Sequence, residues 1–128
     1  TRAKTQMIVW AIERVIEMKL TYVASPYNSH SPEIRLDRHL AVVEVSAELM
    51  RQGVLIYCPI AHTHEMACRH GLPTGWTFWE QHCRAFLAAS ERLIVLKLDG
   101  WEQSVGVAAE VKIAEEIGIP VTYMEYVR

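Results

Sequence analysis

Hydrophobic positions along the chain follow two alternating periodicities. Short apolar runs at Leu20–Ala24, Val54–Cys58, Leu93–Leu98 and Val121–Met124 have the length and β-branched content of buried strands. Between them, apolar residues recur at three- and four-residue steps, which predicts amphipathic helices. Ile8, Ala11, Ile12, Val15 and Ile16 mark a first helix over Met7–Met18, after polar residues 1–6 that are expected to be loose. A second begins with Ser31 as N-cap and Pro32 in the first helical position, and runs to about Gln52, where Gly53 stops it. Trp76–Ala89 and Val105–Ile117 are the remaining helices, with Gly118 closing the last one before Pro120. Residues 60–75 hold three histidines, two glycines and a proline, and read as a long loop with at most one helical turn.

Strands and helices in strict alternation require right-handed crossovers and therefore a parallel sheet. The expected fold is α/β: a small doubly wound, Rossmann- or flavodoxin-like parallel sheet of about four strands. Its strand order is expected to be 2-1-3-4, with an extra N-terminal helix in residues 1–19 and the domain itself in residues 20–128.

Composition narrows the partners. A chain of 128 residues that is 51% hydrophobic supports one sizeable core. A net charge of −2 and the lack of any basic run argue against a nucleic-acid binder. Cys58, Cys68 and Cys83 are odd in number and show no Cys-x-x-Cys spacing, so a reducing, cytoplasmic setting is expected. No apolar run approaches the roughly 20 residues that span a bilayer. The patch Met7–Ile12 is broken at once by Glu13 and Arg14, without a signal-peptide cleavage pattern.

The chemistry-bearing stretch follows the third strand. Asp99-Gly100 ends the apolar run, Gly106 punctuates the approach to a helix, and Glu110 falls in that helix's first turn. In parallel α/β sheets, ligands bind in the crevice at the carboxyl ends of the strands, which is where such a carboxylate points. The same position suits a plain first-turn acid that complements the helix dipole. After the first strand, Ser25-Pro26-Tyr27-Asn28 forms a strong turn whose backbone N–H groups could receive a phosphate or a sugar hydroxyl. The cluster His62-Thr63-His64-Glu65, with Cys68 and His70, lacks the spacing of a metal site; hydrogen bonding to a ligand or to the loop's own backbone is expected instead. Cys58 reads as a buried strand residue, and Cys83 lacks an activating partner apart from nearby His82. No Gly-x-Gly-x-x-Gly or P-loop is present, so no dinucleotide or nucleoside triphosphate cofactor is expected. Trp76, Trp79 and Trp101 could stack on a planar ring, although Trp79 reads better as packing.

Three segments carry a family resemblance: Tyr22-Val-Ala-Ser-Pro-Tyr27, Pro59-Ile-Ala-His62, and Asp99-Gly-Trp-Glu-Gln-Ser-Val-Gly-Val-Ala-Ala-Glu110. They resemble the nucleoside 2-deoxyribosyltransferase superfamily over roughly Leu20–Met124. The last motif is similar to that of an uncharacterised bacterial and phage branch of it. The resemblance implies that Glu110 is a nucleophile and that Tyr22 orients its carboxylate. It also places Ser104 and Cys83 where the family has two aspartates, which contact sugar hydroxyls and assist proton transfer to the base. The implied activity is N-glycosyl hydrolysis or transfer on a (deoxy)nucleoside or nucleotide, without cofactor or metal. Ser25, Pro26, Tyr27, Asn28, His62, His64, Asp99, Gly100, Trp101, Ser104 and Gly106 would bind the substrate. The alternative is a non-catalytic module that senses a nucleotide-like ligand in the same crevice, a reading favoured by the two missing aspartates. A homo-oligomer is expected from the amphipathic first helix and from relatives that complete their sites with a neighbouring subunit.

Overall fold

Four parallel strands, β1 (Leu20–Ala24), β2 (Ile56–Tyr57), β3 (Ser90–Lys97) and β4 (Val121–Glu125), form one sheet in the order β2-β1-β3-β4. The computed structural model describes residues 1–17 and 19–127; the helix end expected at Met18, and the side chains of residues 13–17 with the apolar positions Val15 and Ile16, lie outside the described residues. The helices are α1 (Arg2–Glu17), α2 (Pro32–Arg51), α3 (Pro59–His70), α4 (Trp76–Ala88) and α5 (Val105–Ile117), with a 3-10 turn at Trp101–Gln103. This is an α/β doubly wound fold with an N-terminal helix. Among the described residues no helix is long and apolar enough to cross a membrane.

Strand alternation builds the core on both faces of the sheet. Tyr22, Ala24, Leu93 and Val95 point to one side, where they meet Cys83 and Leu87 of α4 and Val107, Ile113 and Ala114 of α5. Val23, Ile94 and Leu96 point to the other, against Ala41, Val42 and Leu49 of α2. β1 from Thr21 on and the Leu93–Leu96 stretch of β3 are thus buried on both faces, as parallel strands flanked by crossover helices must be.

Several boundaries differ from the pattern-based expectation, each for a local reason. The segment read as a loop is helix α3. Cys58 takes the extended N-cap conformation, Pro59 occupies the first turn, and Gly71 closes the helix in the left-handed region at φ 63. Those two signals outweigh the weak helix propensity of its histidines. β2 shrinks from Val54–Cys58 to two residues because Val54 N–H is taken by Leu49 O, at 3.0 Å, in the turn that ends α2. β3 starts earlier than Leu93: polar Ser90 and Arg92 pair with Leu20 and Thr21, and Arg92 Nε donates to Thr21 Oγ1 at 2.8 Å. The helix at the N-terminus also starts earlier, at Arg2, where Lys4 N–H donates to Thr1 Oγ1 at 3.2 Å. Residues 2–12 of α1 are all exposed, Met7, Ile8 and Trp10 among them.

Leu93 is fully buried at the centre of the sheet. Leu93→Ala should cost about 2–5 kcal/mol in urea unfolding, the range for a large-to-small change in a packed core. A loss under about 1 kcal/mol would mean that the α4–α5 face closes over the gap.

Candidate active site

A cavity of about 360 Å³ opens at the carboxyl edge of the sheet. Each wall is one face of a secondary-structure element. Ala24 and the turn residues Ser25, Tyr27 and Asn28 come from the end of β1. Ile60, Thr63, His64 and Ala67 come from α3, at helix-face spacing. Trp76, Trp79 and Cys83 are the matching face of α4, and Ser104, Val105 and Gly106 form the start of α5. Glu110 follows in the second turn of that helix rather than in its first, because the helix already begins at Val105. Ser104 is the N-cap of α5, with its Oγ accepting from Val107 N–H at 3.2 Å.

Glu110 is a buried acid, 6% exposed, on this lining. Its Oε2 accepts a hydrogen bond from the hydroxyl of Tyr22, which is itself fully buried in the core. Burial drives the Glu110 carboxyl up to about 8, and the Tyr22 hydrogen bond offsets only part of that shift. The Tyr22 phenol is held far above its ordinary range, first by burial and then by the Glu110 charge. Cys83 is pushed up to about 12 by burial and by the same charge. Tyr22 thus serves as a fixed donor, and Cys83 stays a neutral thiol at physiological pH. Oε1 is the carboxylate oxygen nearer Gly106, where an added Cβ would lie 4.0 Å from it and 4.0 Å from Trp76 Cε3. The glycine keeps open the space between carboxylate and indole.

The two histidines separate. His64 lines the cavity, with its Nδ1 2.7 Å from the Tyr27 hydroxyl and its ring stacked on His39 at 3.9 Å. Burial, then the neighbouring His39 and Arg35, lower its pKa, so the imidazole is neutral at physiological pH. His62 instead turns back on its own helix, with Nδ1 2.8 Å from Cys58 O, and packs on Tyr57. Of the other expected site residues, Ser25, Tyr27, Asn28, Gly100, Ser104, Gly106 and Glu110 line the cavity. Tyr22 lies beneath it, bound to Glu110. Pro26 is buried in the turn and does not reach the lining. Asp99 and Trp101 border a separate groove, and Trp101 packs on Tyr123 rather than facing a ligand.

Other lining residues escape the sequence reading. Trp79 packs against the core, as its packing reading expects, and also lines the cavity, with its indole N–H anchored on Pro73 O at 2.7 Å. Thr63 and Ala67 could have been found from the Ile60, Thr63, His64, Ala67 spacing, had residues 59–70 been read as a helix. Arg38 of α2 had no sequence signal. Its Nη1 donates to Asn28 O at 2.9 Å and to Tyr27 O at 3.3 Å, and its Nη2 donates to Asp99 O at 3.2 Å. The backbone at Gly100, with φ +90, favours glycine, and a Cβ there would push aside that Nη2, which would lie 2.7 Å from it. Among the described residues, no group of three His, Cys, Asp or Glu side chains forms a metal-ligand set.

A family model described as Domain of unknown function (DUF1937) matches residues 19–126, which takes in the whole sheet and every cavity residue named above. No curated protein matches the chain.

The Glu110 shift has a stability consequence with a definite sign. The unfolded carboxyl titrates near 4.5 and the folded one near 8, so between these values the folded state keeps a proton that the unfolded state has lost. The contribution is fully present below pH 4.5 and is lost as pH rises through 8. Glu110→Gln should remove this slope, its advantage over wild type growing by up to about 1.4 kcal/mol per pH unit across the window. Parallel stability–pH curves for the two proteins would show that Glu110 is not buried as described.

Proposed function

The chain belongs to this DUF1937 family, and from its site we propose that it cleaves the N-glycosidic bond of a nucleoside or nucleotide through the Glu110 carboxylate. The observation that carries this reading is a buried carboxyl, hydrogen-bonded by Tyr22, at the wall of a cavity lined by two indoles. The motif resemblance to nucleoside 2-deoxyribosyltransferases supports it. Oε1 of the ionised Glu110 attacks the anomeric carbon while the bond from that carbon to the base nitrogen breaks, and the electron pair leaves with the base. The departing base takes a proton from solvent and is hydrogen-bonded by His64. Water or a second base then attacks the anomeric carbon, the bond to Glu110 breaks and restores the carboxylate, and the nucleophile's proton passes to solvent, giving a hydrolase or a transferase respectively. Tyr22 fixes the attacking group in line, and Trp76 and Trp79 offer faces for the base.

One pair of observations favours a second reading, a ligand-sensing module. Ser104 spends its hydroxyl on capping α5, and Cys83 is a neutral thiol, so neither position supplies a second acid.

We further propose that the protein works as a homo-oligomer. Leu36, Leu40, Val43 and Met50 of α2 are exposed and lie at steps of four, three and seven residues, one face of a helix–helix seam. Arg51, already paired with Glu48 of its own helix at 2.9 Å, would also come near Asp37 of a second copy across a two-fold axis between antiparallel α2 helices. Sedimentation of Leu40→Asp against wild type tests this: wild type should sediment as at least a dimer and the variant as a monomer. A wild-type monomer at micromolar concentration overturns it.

The pH profile tests the chemistry. Because the ionised form attacks, kcat/KM for base release should rise about tenfold per pH unit and level off above about 8. Glu110→Gln should lower turnover by about 10³-fold or more while retaining ligand binding. Base release by that variant at the wild-type rate would exclude the covalent route. Ligand-induced stabilisation of wild type, with no base released from any nucleoside or nucleotide, would establish the sensor reading instead.

A further inference from the structure

The cavity is divided chemically. The face given by Trp76 and Trp79 suits a planar base, whereas the wall beside the end of β1 is polar and carries the lining's one Lys or Arg side chain, Arg38. Two independent features of that wall point to an anion. The first is Ser25, 4% exposed, whose Oγ finds no hydrogen-bond partner among the described residues. A buried hydroxyl left unpaired is costly, and natural sequences keep one where a ligand completes it. The second is the Arg38 guanidinium. Backbone carbonyls of Tyr27, Asn28 and Asp99 hold it from two strand-end loops, and among the described residues no carboxylate comes within 4.0 Å of it. Carbonyls fix its orientation without cancelling its charge. A guanidinium positioned in this way, with donors left over, has the geometry that recognises phosphate oxygens.

We propose that Ser25 and Arg38 form a phosphate subsite and that the ligand is a nucleoside 5′-monophosphate rather than a free nucleoside. The sugar's 5′ carbon lies across the ring from its anomeric carbon. A sugar that presents the anomeric carbon to Glu110 and its base to the tryptophans therefore sends its phosphate away from both, toward the β1 end. Glu110 is the lining's one carboxylate, and in this pose it meets the anomeric carbon rather than the phosphate. The proposal rests on the N-glycosyl reading for the ligand's orientation, but binding alone tests it.

The experiment is calorimetric titration of wild type, Ser25→Ala and Arg38→Met with four probes: a nucleoside, its 5′-monophosphate, ribose 5-phosphate and inorganic phosphate. Wild type should bind the monophosphate about 10–100-fold more tightly than the nucleoside, the worth of one or two charge-assisted hydrogen bonds. Arg38→Met, which keeps the aliphatic stem, should abolish that preference. Ser25→Ala should narrow it about tenfold and raise the Tm of the ligand-free protein, because the unpaired hydroxyl is gone. That second variant carries the test if Arg38→Met fails to fold. Binding of ribose 5-phosphate or inorganic phosphate that depends on Arg38, without binding of the nucleotide, would support the subsite and sink the N-glycosyl reading. Equal affinities for nucleoside and monophosphate, or a preference that survives both substitutions, overturn the subsite. Base release from the nucleoside in that case would leave the N-glycosyl reading standing.

Discussion

Burying a carboxyl group in the core runs against the hydrophobic burial that assembles the rest of this molecule, and the Tyr22–Glu110 hydrogen bond is what makes it tolerable. Both partners come from buried, close-packed parts of the fold. Tyr22 sits on a strand flanked by two others, and Glu110 sits on a helix packed against that same sheet face. Neither can move without disturbing close-packed neighbours, so the carboxyl keeps one orientation whatever binds above it. The rigidity has a cost, because one hydrogen bond does not replace the hydration of a carboxylate. The acid therefore remains protonated far above its ordinary range.

The same constraint accounts for the character of the groups around it. Cys83 and Tyr57 are each pushed up to about 12, by burial first and also by the Glu110 charge. A second carboxylate at either the Cys83 or the Ser104 position would raise Glu110 further, since like charges this deep are poorly screened. A thiol and a cap hydroxyl avoid that repulsion. If Glu110 is to ionise and attack at moderate pH, the stabilisation has to come with the ligand. Positive charge developing on the sugar would provide it, since it favours the ionised form only while the reaction is under way.

The presence of four strands, the α2 N-cap at Ser31 and the α5 start at Val105 were legible because each rests on local signals that packing reinforces, and the strand order β2-β1-β3-β4 because crossover topology leaves few alternatives. Glu110 and the turn after β1 were legible for a topological reason, since strand ends in a parallel sheet face one crevice. What stayed hidden depends on distant partners. Polar Ser90 and Arg92 are strand residues only because β1 lies alongside. Arg38 reaches the cavity because two loops far apart in sequence bring their carbonyls to it. His62 and His64 could not be told apart until their segment was known to be helical, for two residues along a helix turns a side chain by about 200°.

Several departures from ordinary folding rules meet at the cavity; among the described residues, two further unpartnered polar atoms, His39 Nδ1 and Ser46 Oγ of α2, lie outside its lining. Away from the cavity, the strands are apolar inward and the helix ends close on Ser31, Gly71 and Gly118. Around it, a carboxyl is buried, the Ser25 hydroxyl is unpaired and the Arg38 charge is left unneutralised among the described residues. The buried carboxyl and the unpaired hydroxyl weaken the fold, and the proposed ligand would answer them at different ends: an electron-poor anomeric carbon for Glu110, phosphate oxygens for Ser25 and Arg38. Independent defects seldom share a single remedy. Their convergence on one cavity of about 360 Å³ gives a physical reason to treat it as the site for which the fold gives up stability.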